Sequence, residues 1–320
     1  MVEVDKFNEV DLCKESPTHS AVEVHEGQLR LHVFDGPSPM EALKNFTGWV
    51  GRPSQPPPWA FAPWNDAVFG QENVERFANM LRTDGLPSSA IWSEDWKGGN
   101  WHGDAYRLEE DWRLDREIYP DFEELTTNLR AMGIQLMVYF NTFVFEAAEV
   151  FREAHDQGFL VKNTDGEAFR FQGPNANFSH AGLIDLTNPD AVKWVEGELR
   201  QALELGARGW MADYAEWMPV DGAILASGED PALVHNRYPV MWQALNERVL
   251  EETGLLGEAI AFYRSGWMGS QPHTRVIWAG DQDTSFDIHD GLPTILPLGI
   301  GLSATGFPIS CAMVRARFSS

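Results

Sequence analysis

Residues 209–219 read GWMADYAEWMP, an apolar run that brings two acids, Asp213 and Glu216, in among aromatic residues. The residues just before it, 203–208, have the pattern of a helix end and a glycine turn, so the run is predicted to be a short buried strand. In barrels and open parallel sheets, the carboxyl ends of the strands carry the chemistry. A carboxylate in such an apolar setting costs several kcal/mol unless a partner or a catalytic role keeps it there. Asp213 is therefore either a functional acid, a helix cap or the partner of an arginine.

A second stretch has the same design. Residues 275–283 read RVIWAGDQD, in which an apolar strand is followed by Trp278 and then by an acid, Asp281, at the exit. Two such acids on separate strands favour function over a structural role for Asp213. We interpret Asp213 and Asp281 as a working pair.

Strand and helix patterns alternate on both sides of these stretches. Apolar segments predict strands at 59–64, 90–92, 135–140, 209–213, 259–263 and 275–281, with helices at 72–82, 122–132, 189–205 and 239–252. Acids, asparagines or tryptophans stand at nearly every strand exit. The six strand–helix steps predict an α/β fold, a (β/α)8 TIM barrel whose mouth lies at those exits.

The barrel is expected to be incomplete at its C-terminus, because only one helix (292–303) and one candidate strand (306–310) follow Asp281. Residues 1–50 contain an alternating strand at 29–34 and a proline-started helix at 37–46, and we interpret them as the end of an N-terminal β-rich domain with a linker helix. A proline-rich segment opens the catalytic barrel, which is assigned to residues 51–310. Residues 311–320 are basic, unlike the chain before them, and are interpreted as an aberrant tail.

The composition limits the partners. The 320 residues include 24 basic and 48 acidic ones, for a formal net charge of -24. This balance argues against nucleic acid and anionic membranes as partners. Lysine is scarce beside arginine, and that bias together with the acidity fits either a high-salt habitat or a GC-rich genome. Cys13 and Cys311 stand far apart, so neither a disulfide framework nor a metal site is expected. No signal peptide or membrane span is visible, and the chain is expected to be cytoplasmic.

The 13 tryptophans favour a carbohydrate ligand, because aromatic faces stack on the C–H surfaces of sugars, although most of these residues are expected to pack in the core. The sequence leaves open whether the chain forms a homo-oligomer.

Three ordered segments resemble the signature of glycoside hydrolase family 31. They are WMADYAE at 210–216, YRSG at 263–266 and WAGDQ at 278–282, and their order and spacing are closest to the sulfoquinovosidase-like branch. The similarity covers residues 36–306. It implies a retaining α-glycosidase without a cofactor or a metal, in which Asp213 is the nucleophile and Asp281 the general acid/base. It also implies that Arg264 and Trp278 line the subsite where the sugar is cleaved.

The two acids of a retaining glycosidase need different environments, since one attacks as the anion and the other must donate a proton. We expect Arg264 to keep Asp213 ionised and burial against Trp278 to raise the pKa of Asp281. Glu216 is expected to position Asp213 or Arg264.

Two further acids, Asp66 and Glu94, stand at the first two strand exits and are expected to hydrogen-bond sugar hydroxyls. The alternative for each is a helix cap or a salt bridge.

The substrate is the least determined feature. Sulfoquinovosidases recognise the sulfonate with an arginine and, three residues later, a tryptophan. Here Arg107 is kept but Glu110 stands at the tryptophan position, where a carboxylate repels a sulfonate. We therefore expect a neutral hexoside, or a hydroxyl-rich sugar gripped by Glu110, and we keep Arg107 as a further substrate-binding residue. The alternatives are transfer of the sugar to another sugar and a truncated, catalytically silent remnant that binds carbohydrate weakly.

Overall fold

Seven parallel strands form the central sheet in the computed structural model, which describes residues 2–3, 6, 8–109, 111–171 and 180–315. Each strand pairs with its neighbour in the chain, in parallel register, from the first to the last. This is the strand order of a (β/α) barrel. The strands are β1 (Trp64–Asp66), β2 (Ala90–Trp92), β3 (Gln135–Phe140), β4 (Gly209–Ala212), β5 (Ile260–Tyr263), β6 (Val276–Asp283) and β7 (Ser310–Arg315).

Helices connect most of these strands. Asn188 caps the longest of them by accepting the backbone N–H groups of Asp190 and Ala191, and Pro189 takes its first position, as the sequence predicts. The connecting helices are α1 (Gly70–Thr83), α2 (Phe122–Ala131), α3 (Pro189–Glu204), α4 (Tyr238–Glu252) and α5 (Ile295–Ala304). Further helices span Pro39–Val50, Glu149–Asp156 and Pro231–Val234, with 3-10 turns at Pro58–Phe61, Glu94–Lys97, Gln271–His273 and Leu292–Thr294. None of the helices in the described ranges is long and apolar enough to cross a membrane.

Short antiparallel pairs surround the sheet. The N-terminal ones are Val2–Glu3 with Arg30–Leu31 and Asn8–Ser16 with His19–Val24. The others are Gly99–His102 with Ala105–Leu108, Phe143–Phe145 with Ala181–Leu183, and Lys162–Asn163 with Ala223–Ile224.

The sheet is curled. Trp64 on β1 lies 5.4 Å, ring centroid to ring centroid, from Phe262 on β5, and Trp92 on β2 lies 6.3 Å from the same ring. In a flat sheet β1 and β5 would be about 19 Å apart, because neighbouring strands are spaced by about 4.8 Å. Aromatic rings therefore fill the inside of an arc, and the predicted fold, an incomplete α/β barrel, is confirmed.

Gly209 allows β4 and β5 to pair closely. Its φ is 145°, and a Cβ at this position would lie 2.1 Å from the carbonyl oxygen of Ile260. Real Cβ atoms do not approach backbone oxygens so closely, so only glycine fits here. The glycine thus sets the spacing of the two strands that lead to Asp213 and Arg264.

The first strand starts later in the chain than the sequence predicts, because a proline precedes it. The predicted strand at 59–64 is instead a 3-10 turn, Pro58–Phe61, and β1 begins at Trp64. Pro63 offers only its carbonyl, which accepts from the Ser89 N–H at 2.9 Å, so regular pairing starts after it.

The last strand lies further along the chain than expected. Gly306 has a φ of 91° and Pro308 lacks an N–H, so the predicted strand at 306–310 does not form and β7 starts at Ser310. Its residues pair with β6 as far as Asp283 with Arg315. The sheet extends through residue 315, which corrects the predicted aberrant tail of 311–320 to that extent; residues 316–320 lie outside the described part of the chain.

Candidate active site

The barrel lumen is lined by alternate residues of the strands. Met211 on β4 stands in register with Tyr139 on β3 and with Phe262 on β5. Because side chains alternate across a strand, residues two positions further along also face the lumen. Among the predicted site residues, these positions are Asp66, Asp213, Arg264 and Trp278.

Asp213 follows the last residue of β4 and is held on three sides. Its backbone N–H donates to the carbonyl of Phe140 at 2.8 Å, and its Oδ2 accepts from the Tyr139 hydroxyl at 2.7 Å. Its Oδ1 lies 3.4 Å from Nε of Arg264. With 6% of its surface exposed, the carboxyl is buried but opens into the lumen.

Arg264 connects Asp213 to Glu216. Its Nε and Nη2 both donate to Glu216 Oε1, the first at 3.0 Å, and its guanidinium carbon lies 3.9 Å from the centroid of the Tyr214 ring. Ser265 adds a hydrogen bond from its hydroxyl to the Tyr214 carbonyl at 2.6 Å. The structure thus brings together three of the predicted site residues and fixes Arg264 from both ends.

The backbone turns sharply after Asp213. Tyr214 and Ala215 have φ values of 60° and 81°, in the left-handed region that residues with a Cβ avoid. Such residues cost of order 1–3 kcal/mol each and persist only where the surroundings hold them. The stacked guanidinium and the Ser265 hydrogen bond provide that support here. Nothing in the sequence pattern signals this turn, since neither residue is glycine or asparagine.

Burial dominates the ionisation of Asp213. It raises the pKa of the Asp213 carboxyl, while the charge of Arg264 and the Tyr139 hydrogen bond act in the opposite direction. Arg264 thus acts in the expected direction on the pKa of Asp213, but burial outweighs it. Burial also opposes the charge of Arg264, yet the hydrogen bonds to Glu216 and the nearby Asp213 leave the pKa of the guanidinium above its ordinary value.

Asp281 lies in a different environment from the one expected. The pairing of β6 with β7 shifts register between Trp278 and Asp281, at Gly280, whose φ is 104°. The shift releases the strand from strict alternation, and the Asp281 side chain is exposed. Trp278 is buried and donates its indole N–H to the Gly280 carbonyl at 2.7 Å. The predicted burial of Asp281 against Trp278 is wrong for this structure.

The remaining predicted residues lie further out. Asp66 is exposed at the end of β1, and Glu94 is half-buried at the start of the 3-10 turn after β2. Arg107 is exposed on the hairpin strand Ala105–Leu108, opposite Asn100. Glu110 lies outside the described residues.

A buried acid that no sequence pattern marks organises this side of the mouth. Asp95 is fully buried and accepts five hydrogen bonds within the 2.5–3.0 Å range. It ties the turn before α1 to the exit of β2 and to the hairpin that carries Arg107. The donors are the backbone N–H groups of Phe69 and Gly70 and the hydroxyls of Ser93, Tyr106 and Tyr119.

Two more residues near Asp213 cannot be recognised from the sequence pattern. Tyr139, the hydrogen-bond donor to Asp213, looks like an ordinary apolar strand residue in the sequence. Lys97 is buried, and its Nζ lies 4.6 Å from the centroid of the Tyr139 ring. A cation on a ring face is favourable by about 0.5–2 kcal/mol. Only the folded arrangement shows this stack, because Lys97 and Tyr139 come from different strand exits.

The lumen presents buried polar atoms that lack a hydrogen bond to any described residue. They include both acceptors and donors: Asp213 Oδ1, Glu216 Oε2 and the indole nitrogens of Trp64 and Trp92. Buried polar groups without a partner are rare and call for an explanation such as a ligand. Of these residues, Glu216 lines a cavity of about 540 Å³, together with Arg264 and Trp278 among others. A ligand rich in hydroxyl groups has the donors and acceptors that such a lining can bind.

The curled parallel sheet and the carboxylates at its strand ends define an α/β-barrel protein with an acidic site at the C-terminal face of its strands. The chain belongs to glycosyl hydrolase family 31: the model of that family's TIM-barrel domain matches residues 53–314. The resemblance stated from the three sequence segments is thereby confirmed, and members of this family are retaining glycosidases.

Individual relatives agree with the assignment. The chain is 29% identical to a sulfoquinovosidase of Escherichia coli K12, over 91% of this chain and 43% of that protein. It is 31% identical to a sulfoquinovosidase of Agrobacterium fabrum, over 86% and 41% respectively. Among solved structures, a family 31 sulfoquinovosidase from E. rectale, in complex with the aza-sugar inhibitor IFGSQ, superposes with a TM-score of 0.81 at 29% identity; the match covers 87% of this chain and 41% of that one. The chain thus spans about two fifths of the length of these relatives.

Proposed function

We propose that the protein is a retaining α-glycosidase that releases a terminal α-linked sugar through a covalent intermediate. The observation that carries the proposal is the Asp213 carboxyl: it is buried at the end of β4, held through Oδ2 by Tyr139, and turns its other oxygen into the lumen without a hydrogen bond from any described residue. A nucleophile needs this combination of fixed direction and one available oxygen.

The reaction proceeds in two displacements. Asp213 Oδ1 attacks the anomeric carbon while Asp281 gives a proton to the departing glycosidic oxygen, and a glycosyl ester forms on Asp213. Asp281, now ionised, takes a proton from water, whose oxygen attacks the same carbon and releases Asp213. Arg264 stabilises the negative charge of Asp213 before the first step and after the second.

The surrounding residues have positioning and binding roles in this proposal. Glu216 holds Arg264 by its Oε1, and Trp278 forms a wall of the subsite. Asp66 and Glu94 hydrogen-bond sugar hydroxyls from the opposite side of the mouth.

Strand spacing sets a condition on the pair. Retaining enzymes place the two carboxyl groups about 5 Å apart. The axes of β4 and β6, which flank β5, are about 10 Å apart at the usual strand spacing. The side chains of Asp213 and Asp281 must therefore both point toward β5 when substrate is bound. The exposed Asp281 has the freedom to do so, since β6 is irregular just before it.

The substrate that we propose is a neutral hexoside. Arg107 is exposed, and carboxylates follow it in the chain at Glu109, Glu110 and Asp111, which weakens its attraction for a sulfonate. A panel of aryl α-glycosides that includes the sulfonated one tests this choice. A higher kcat/KM for the sulfonated glycoside than for every neutral one would overturn it.

Replacement of the two acids tests the mechanism. Asp213→Ala should reduce the turnover rate of every glycoside by several orders of magnitude. Asp281→Ala should slow glycosides with poor leaving groups by about 10³-fold, because they depend on the proton, and activated aryl glycosides much less. The matched control is Asp156→Ala, an exposed acid on the helix Glu149–Asp156, which should leave turnover unchanged.

Trapping gives direct evidence. A fluorinated glycosyl fluoride should leave a sugar ester on the peptide that contains Asp213, detectable by mass spectrometry. A label on another residue would remove the nucleophile assignment. A cooperatively folded chain that neither turns over any glycoside nor becomes labelled would favour the silent, weakly binding alternative.

A further inference from the structure

Lys97 is a buried lysine whose position is fixed by the residues before it in the chain. It ends the 3-10 turn Glu94–Lys97 after β2 and is 2% exposed. Asp95 holds the middle of this turn by its five hydrogen bonds. Trp96 is buried as well, and its indole N–H donates to the backbone carbonyl of Tyr139 at 3.0 Å. The turn is therefore anchored to β3 at the same residue whose ring lies under the Lys97 ammonium group.

The charge of Lys97 calls for an explanation beyond packing. Lysine is almost never fully buried, because an ammonium group loses its hydration unless another interaction replaces it. The Nζ atom lies 4.6 Å from the centroid of the Tyr139 ring, close enough for the ring face to attract the cation. A methionine would fill nearly the same space without the cost of burying a charge.

Tyr139 connects this cation to Asp213. Its hydroxyl donates to Asp213 Oδ2 at 2.7 Å, while the face of its ring carries Lys97. A hydrogen bond to a carboxylate moves negative charge onto the phenol, and a cation over the ring stabilises that charge. The two interactions should therefore strengthen each other. The charged groups that act on Asp213 from other elements are Arg264, after β5, and Glu216, after β4.

Carboxylates lie near the turn on its other side. Glu94 is half-buried at its start. A Cβ at Gly98 would lie 3.1 Å from Glu109 Oε2 and 3.2 Å from Asp115 Oδ2. The variants compared below keep these carboxylates and both charged neighbours of Asp213. Differences between the variants therefore report the lysine and the tyrosine alone.

We propose that Lys97 is a positioning residue for the nucleophile: its charge makes the Tyr139 hydroxyl a stronger donor, and the resulting hydrogen bond keeps Asp213 ionised and fixed through Oδ2. The proposal rests on the proposed function, in which Asp213 is the nucleophile. It adds to that function a buried charge that acts through the ring of another residue.

A double-mutant cycle tests the connection from Lys97 to Asp213. Lys97→Met keeps most of the side-chain volume and removes the charge, and Tyr139→Phe removes the hydroxyl. The acid limb of the kcat/KM profile for one aryl α-glycoside is compared in the wild type, the two single variants and the double variant. Lys97→Arg restores a cation that can stack on a ring. Lys44→Met is the control, since Lys44 is an exposed lysine on the helix Pro39–Val50.

In Lys97→Met the acid limb should move to higher pH by about half a pH unit, the effect of losing one cation from a ring face. The double variant should have the same acid limb as Tyr139→Phe, because the charge then has no hydroxyl to act through. Lys97→Arg should stay closer to the wild type than Lys97→Met does, and Lys44→Met should not move.

An acid limb in Lys97→Met that stays at the wild-type pH, or moves to lower pH, overturns the proposal and leaves the proposed function intact. So does a double variant that differs from Tyr139→Phe as much as Lys97→Met differs from the wild type, since the charge then acts without the hydroxyl. If Lys97→Met does not fold, Lys97→Gln takes its place. Failure of both neutral variants to fold marks the charge as structural and also overturns the proposal.

If the wild-type chain turns over no glycoside, the proposed function fails and infrared spectroscopy decides the role of Lys97 separately. The band of the protonated Asp213 carboxyl, assigned by its loss in Asp213→Asn, titrates with pH in the absence of substrate. Its midpoint should be higher in Lys97→Met than in the wild type and equal in Tyr139→Phe and the double variant. Equal midpoints in the wild type and Lys97→Met overturn the proposal.

Discussion

Among the described residues, only Tyr139 donates a side-chain hydrogen bond to Asp213, and removal of its hydroxyl should change the pH dependence of catalysis. The bond stabilises the ionised carboxyl, so Tyr139→Phe should raise the pKa of Asp213 further. A nucleophile works as the anion, and activity rises as the pH increases through its pKa. We therefore expect the acid limb of the kcat/KM profile to move to higher pH.

Tyr263→Phe is the matched control for this measurement. Tyr263 is equally buried, but it stands at an alternate position of β5, and its hydroxyl has no hydrogen bond to a described residue. The acid limb of the kcat/KM profile of Tyr263→Phe should stay at the wild-type pH. An acid limb in Tyr139→Phe that stays put or moves to lower pH would contradict the role given to the hydroxyl.

The buried charge of Asp213 should also lower the stability of the folded state. A carboxyl whose pKa is raised on folding binds its proton more tightly in the native state, so stability falls as the pH rises above the ordinary pKa and stays low above the raised one. Asp213→Asn removes the buried charge. At pH 7 it should raise the midpoint of thermal unfolding by roughly 2 °C while activity is lost, and the gain should shrink as the pH falls through the raised pKa.

Asp185→Asn provides the comparison. Asp185 is just as buried, but its carboxylate accepts hydrogen bonds from the backbone and hydroxyl of Thr187 and from the N–H of Ala226. An amide cannot replace all of these acceptors, so this variant should melt at a lower temperature. If Asp213→Asn melted lower as well, the buried carboxyl would be a structural group and not a strained functional one.

At the scale of elements, Arg113 joins two helices. It donates to Glu153 on the helix Glu149–Asp156 at 2.7 and 2.8 Å and to Glu198 on α3 at 2.6 Å. Glu198 is 4% exposed, so Arg113→Ala leaves a buried charge without its partner. We expect the free energy of unfolding to fall by about 3 kcal/mol, measured by chemical denaturation.

Arg116 offers the exposed counterpart. Its pair with Glu123 is geometrically as good, but both side chains are about half exposed. Arg116→Ala should therefore cost less than about 1 kcal/mol. Equal losses in the two variants would mean that burial of Glu198 does not matter.

Elements of the sheet were largely predictable from the sequence, because an apolar run of three to six residues between turn signals specifies a buried parallel strand. The predictions for β2, β3 and the start of α3 agree with the structure. They failed at β1 and β7, where prolines and a left-handed glycine shift the start of pairing. Contacts such as those of Asp95 could not be read from the sequence, since they join residues from separate loops and carry no periodicity.

At the scale of the whole molecule, the net charge of -24 should make stability depend on salt. Repulsion among so many carboxylates destabilises the compact state, and added salt screens it. The midpoint of thermal unfolding should rise by several degrees between 0.05 and 1 M NaCl at about pH 7. Near the sequence pI of about 4.6 the same salt step should have a smaller effect, and an equal effect there would point to a cause other than charge repulsion.

The acids of the site could be found from the sequence because each ends an apolar strand, but their environments could not. Asp213 is buried, as its apolar approach indicates, but the burial expected for Asp281 is absent, since burial depends on how the strands curl and on the irregularity at Gly280. Lumen and exterior differ by one residue along a strand, and a one-residue irregularity is invisible in composition or spacing.

The close approach at Gly209 has a consequence for comparing family members. A single methyl group there would collide with the Ile260 carbonyl and push β4 away from β5, carrying Asp213 away from the guanidinium of Arg264. A homologue with a larger residue at this position can thus retain every acid and every tryptophan of the mouth and still be inactive. Surveys that infer lost activity from missing carboxylates alone would classify such a chain as an active enzyme.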